Sequence, residues 1–81
     1  MIDIVVEVSL KKGVADPEGD ATLKALRLLG YANVSRVGSA KLFRIRLDET
    51  DTAKARAAVE DMCRKLLANP VIHDFRIDVL P

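Results

Sequence analysis

Apolar residues at Ile2, Ile4, Val6, Val8 and Leu10 alternate with Asp3, Val5, Glu7 and Ser9, a period of two that predicts a half-buried strand over 2–10. Lys11-Lys12-Gly13 breaks this pattern. Asp16-Pro17-Glu18-Gly19 then reads as a helix start, because Pro17 is pre-set for a first helical turn and the acidic neighbours suit the positive helix end. The spacing predicts a helix from Pro17 to a stop at Gly30. Ala21, Thr22, Ala25, Leu26 and Leu29 fall on one side, widened by Leu23 and Leu28, with Lys24 and Arg27 opposite. A second strand is predicted over 31–37 and a turn at Gly38-Ser39. A third strand over 41–48 puts Phe43, Ile45 and Leu47 on one face and Arg44 and Arg46 on the other. Glu49-Thr50-Asp51 offers caps to a second helix over 52–67, whose inward stripe is Ala55, Val59, Met62, Cys63 and Leu66. A last strand over 73–80 faces Phe75, Ile77 and Val79 one way and Arg76 and Asp78 the other.

Strand, helix, strand, strand, helix, strand is the order of an α+β, ferredoxin-like βαββαβ fold. A four-stranded antiparallel sheet with two helices on one face follows, as a single domain over 1–81. The halves echo each other, Leu28-Leu29-Gly30 before one strand matching Leu66-Leu67-Ala68 before another. The helix-free face would carry Asp3, Val5, Glu7, Ser9, Leu42, Arg44, Arg46, Arg76, Asp78 and Leu80. Such a mixed face meets either water or a second copy.

At 81 residues and with a single cysteine, Cys63, the chain is short of core and has no internal disulfide. Dimerisation is the expected prop, its expected surface being Val5, Glu7, Leu42, Arg44, Arg46 and Arg76 on the open sheet face. Thirteen basic against twelve acidic residues give a net charge of +1, which supplies no field for nucleic acid or an anionic membrane. The RNA-recognition reading of Arg44 and Arg46 fails on aromatics, since the first strand has none and Phe43 shares the core phase of Ile45 and Leu47. No apolar run approaches the ~18 residues that would span a bilayer, so the chain is expected in the cytoplasm, away from membranes.

Candidates for chemistry are few. His73 is the only histidine and has no metal-ligand companions in the sequence. Cys63 lies on a helix flank where a thiol behaves as a small hydrophobe. Asp16, Glu18 and Asp20 could be read as a cation loop, but the helix start beside them favours capping. Gly13, Gly19 and Gly38-Ser39-Ala40-Lys41 lack the spacing of a phosphate loop. The residues therefore point to no catalytic group, no bound cofactor and no metal on this chain.

More telling is Cys63-Arg64-Lys65-Leu66-Leu67-Ala68-Asn69-Pro70-Val71-Ile72, which crowds apolar residues around a helix stop that Asn69 and Pro70 alone would supply. Excess apolar surface in so small a chain marks a docking site. Read with Asp16-Pro17-Glu18-Gly19 and Ala25-Leu26 through Leu29-Gly30-Tyr31, this run closely resembles the PurS family, the small subunits of phosphoribosylformylglycinamidine synthase. The match runs nearly end to end. It departs where Ser39 and Ala40 separate a glycine and lysine usually adjacent, where His73 replaces a common acidic residue, and where Phe75 replaces a frequent tyrosine.

The resemblance implies a noncatalytic role in the purine-pathway step that converts formylglycinamide ribonucleotide to formylglycinamidine ribonucleotide. A glutaminase subunit and a large synthetase subunit would use glutamine, ATP and magnesium, while a homodimer of the small chain, or a dimer of dimers, bridges them for ammonia transfer. The partner-facing residues are expected to be Asp16, Pro17, Gly19, Leu67, Ala68, Asn69, Pro70, Val71 and Ile72. The alternative is a free-standing dimeric regulatory domain that binds a small molecule. No role is carried over for Lys41.

Overall fold

The computed structural model describes all residues, Met1–Pro81. Strand β1 (Ile2–Leu10) matches the alternation read from the sequence, and Ile4, Val6 and Val8 are buried on its inner face. Each such side chain contributes about 1.5–3 kcal/mol on leaving water. β1 is the central strand, antiparallel to β2 (Ala40–Leu47) on one edge and β3 (His73–Val79) on the other. The register pairs Val6 with Phe43 and Ile77, so the apolar sets of all three strands share a face.

Helix α2 (Thr52–Met62) connects β2 to β3 and packs against β1 and β3. Asp51 caps it, accepting from the N–H groups of Ala53 and Lys54 at 2.9 and 3.3 Å. Ala55, Val59 and Cys63 fill the core beneath. The helix continues to Leu67 as expected, but its last stretch, Cys63–Leu67, widens to a π-helical turn in which Ala68 N–H donates to Cys63 C=O at 2.9 Å. The wider turn rotates Leu66 out of the inward stripe. Leu66, expected inside, is therefore 83% exposed, while Ala68 is buried.

The second strand predicted over 31–37 does not form, so the sheet has three strands and not four. Val34 and Val37 stand three apart, out of phase for a strand face, and Asn33 falls in a turn. The order β2-β1-β3 is the ferredoxin-like order with one edge strand missing. Without that strand nothing draws helix α1 (Pro17–Leu28) back over the sheet, and the expectation of two helices on one face fails. No residue of α1 belongs to the buried core. Instead α1 and its return segment, 29–39, form an arm, and the molecule measures 48 × 28 × 14 Å.

The arm is well terminated. Gly30, at φ +101°, lets its own N–H reach Arg27 C=O at 3.0 Å and that of Tyr31 reach Leu26 C=O at 3.1 Å. Leu23, Leu26, Val34 and Val37 are half-buried, and the Arg27 guanidinium donates to Val34 C=O at 3.2 Å.

Candidate interaction site

The start of α1 and the turn before β3 meet at one end of the sheet, because Leu10 pairs with His73 and Lys11 N–H donates to Ile72 C=O at 2.8 Å. A cavity of 360 Å³ opens there, lined by Leu10, Asp16, Pro17, Lys41 and His73 among others.

Asp16 closes the arm at its root. Its carboxylate accepts from Gly19 N–H at 2.9 Å, from Ser39 N–H at 2.7 Å and from the Ser39 hydroxyl at 2.7 Å. Residues 23 positions apart are thereby tied, and the Ser39 and Gly19 bonds hold the carboxyl below its ordinary value. Gly19 is required at this point: a Cβ there would lie 2.7 Å from Asp16 Oδ2 and closer still to Val37 C=O. Sequence reasoning found the cap but missed Ser39, whose pairing depends on a loop return that no local pattern announces. Asp16, Glu18 and Asp20 do not converge as a cation site.

The turn is equally bonded. His73 Nδ1 accepts from Asn69 N–H at 2.9 Å, which places the proton of the neutral ring on Nε2. Asn69 Oδ1 accepts from Val71 N–H at 3.0 Å, and Asn69 C=O accepts from the N–H groups of Ile72 and His73. This fixes Asn69-Pro70 as a rigid rim with Leu66 on one side and Val71, 78% exposed, on the other. Cys63 is fully buried, and burial pushes its thiol up, keeping it protonated.

Of the residues expected to face a partner, Pro17, Asn69, Pro70 and Val71 are exposed, Asp16, Leu67 and Ile72 are half-buried, and Gly19 and Ala68 are buried. Leu66, read as core, joins the exposed set. Gly19 and Ala68 lie beneath that surface.

Val5, Glu7, Leu42, Arg44, Arg46 and Arg76 do share the outer sheet face. Most of its charges are paired: Arg46 with Asp3 at 2.8 Å and Arg76 with Glu7 at 3.0 Å across strands, and Arg76 with Asp78 at 3.2 Å along β3. The Arg46 bonds lower the Asp3 carboxyl from its usual value.

The family profile described as "PurS: Phosphoribosylformylglycinamidine (FGAM) synthase" matches residues 3–81. The chain belongs to the PurS family. It is a subunit of phosphoribosylformylglycinamidine synthase, and the resemblance first carried by the Leu66–Ile72 run extends over the whole fold. The PurS subunit of Archaeoglobus fulgidus is 53% identical over 72 residues, covering 89% of this chain and 90% of its relative. The crystal structure of Methanocaldococcus jannaschii PurS, described as one of the subunits of formylglycinamide ribonucleotide amidotransferase in the purine biosynthetic pathway, is 46% identical. Its TM-score is 0.89, with 99% of this chain and 96% of that one covered. A chain of Thermotoga maritima PurLQS shares the PurS fold at TM-score 0.89 and 24% identity, covering 98% and 96%.

Proposed function

We propose that the chain is a noncatalytic bridge between the glutaminase and large synthetase subunits, holding them so that ammonia released from glutamine reaches the site that makes formylglycinamidine ribonucleotide. Glutamine, ATP and magnesium belong to those larger partners, the chain carries no cofactor, and the complex works in the cytoplasm as a homodimer-based assembly. The observation that carries this reading is the rigid Asn69-Pro70 rim with Leu66 and Val71 displayed beside it. One large apolar side chain on the last helical turn and another on the bonded turn after it form an anchor with little entropy left to lose on docking.

The groups capable of chemistry are already committed. The Cys63 thiol is buried and protonated, Asp16 accepts three donors, and His73 Nδ1 is occupied by Asn69. A chain of the PurLQS assembly of Thermotoga maritima shares this fold, in keeping with a place beside PurL and PurQ.

Reconstitution tests this. Replacing Leu66 and Val71 by Asp leaves the core untouched and should cut glutamine-dependent product formation at least ~30-fold, each lost anchor being worth on the order of 1–2 kcal/mol. Synthesis driven by added ammonium chloride should stay near wild type, because that route needs no bridge. Unchanged glutamine-dependent turnover with this variant would overturn the assignment. Leu67 and Ile72 are poorer test sites, since both are half-buried and Leu67 packs against the core.

A further inference from the structure

We infer that His73 is the positioning residue of the docking rim and makes it sensitive to acid: the neutral ring latches the Asn69-Pro70 turn, and taking up a proton releases it. This rests on the docking reading above and adds a regulation of the same site.

The latch is reciprocal. Asn69 C=O accepts from His73 N–H at 2.8 Å, and the His73 ring returns the bond by accepting from Asn69 N–H on Nδ1 at 2.9 Å. The π turn explains why a ring is needed there. Ala68 N–H makes the last helical bond, to Cys63 C=O, after which Ala68 turns extended at φ −131°, ψ 146° and carries Asn69 N–H away from the helix carbonyls. Nδ1 is then the acceptor of that orphaned amide. His73 is itself held as the first residue of β3, opposite Leu10, so the ring ties a strand of the sheet to the turn that precedes it.

Only a bare nitrogen can do this. The imidazolium carries N–H on both nitrogens and accepts nothing. Proton uptake therefore sets two N–H dipoles against each other across 2.9 Å, and the ring must swing away or the backbone at Asn69 must give. Histidine is the side chain whose charge ordinarily changes between about pH 5 and 8. The other bonds of the turn run from Val71 N–H to the Asn69 amide oxygen and from Ile72 N–H to Asn69 C=O, amide to amide, and do not titrate. His73 is the one titratable member of the network.

The charges around the ring favour release. α1 contributes Asp16 and Glu18 to the cavity that His73 lines, and β2 contributes Lys41. Beside them Lys11, following β1, pairs with Asp74 of β3 at 3.2 Å, and Arg64 and Lys65 of the π turn pair with Glu60 and Asp61. Asp16 is committed to Gly19 and Ser39, which leaves the exposed Glu18 to draw an imidazolium away from Asn69, while Lys41 limits how far it enters.

Nitrogen NMR on the wild-type chain tests the latch itself. At about pH 7.5 the ring should show a bare Nδ1 and a protonated Nε2, and on acidification to about pH 5.5 the Asn69 amide should shift, and exchange faster, with the same midpoint as the ring. An Asn69 amide indifferent to the ring's titration would overturn the inference without any partner present. Affinity for the glutaminase and synthetase subunits together is then compared at both pH values for wild type and for His73→Asn, whose side-chain oxygen can replace Nδ1 as acceptor and does not titrate. The two chains should bind alike at the higher pH, and wild type should bind about fivefold more weakly than H73N at the lower one, the worth of a single hydrogen bond. Comparing the two chains cancels the partners' own response to acid. An identical pH response of wild type and H73N overturns the inference while leaving the docking reading intact, whereas undiminished binding by the L66D/V71D chain sinks the docking reading and the inference with it. Should H73N fold poorly by circular dichroism, the coupled titration of His73 and Asn69 decides alone.

Discussion

The sheet with α2 and the arm built on α1 are both ordered by ordinary local rules, yet they differ in where their apolar surface goes. In the body, Ile4, Val6, Val59 and Cys63 are completely buried. In α1, Gly19 is the sole buried residue. Both helices have acidic caps and defined ends, so capping and propensity do not distinguish them. Tertiary burial does, and the difference teaches that one helix was shaped to be covered by its own chain and the other by something else.

The largest expected effect breaks the comparison in the body. Val6→Asp places a charge at the centre of the sheet with no partner, and the chain should be unfolded by circular dichroism at all temperatures. Leu28→Ala, the counterpart in the arm, should move the monomer's melting free energy by no more than ~0.5 kcal/mol. Next comes Gly19→Ala, which forces a methyl against Val37 C=O and Asp16 and should cost about 1–3 kcal/mol at the arm's root. Amide exchange at Ser39 should accelerate while that of Val6 is little changed.

Acid provides a milder probe. The Asp16 carboxyl is held below its ordinary value, so its contribution is fully present above about pH 4 and is lost as pH falls through the lower folded value. The Gly19 and Ser39 amide shifts should report that titration, with a midpoint below the usual carboxylate range. Asp16→Asn should abolish it. Smallest of all, Arg46→Ala removes an exposed ion pair with Asp3 and should leave the melting midpoint within about 2 °C.

Legibility in the sequence followed the same division. β1 was readable to the residue because Ile2 through Leu10 alternate against a core supplied nearby, and β2, β3 and the start of α2 were readable for the same reason. The face of α1 was misjudged because an apolar stripe says that something covers it and not that the same chain does. The false strand at Tyr31–Val37 came from β-branched content without period two. Leu66 was misplaced because an α-helical wheel cannot foresee a π turn, which leaves Leu66 outside and Ala68 buried. Asn69, Pro70 and Val71 were expected from sequence at the surface and are exposed there, whereas Ser39 and the Nδ1 bond of His73 required the fold.

Native-state hydrogen exchange at two protein concentrations tests most directly whether the arm is stabilised from outside its own chain. The account predicts that amides of α2 keep the same protection throughout, while those of α1 near Ala25 and Leu28 become strongly protected only at the concentration where chains associate. Protection of α1 equal to that of α2, and unchanged on dilution to monomer, would contradict it.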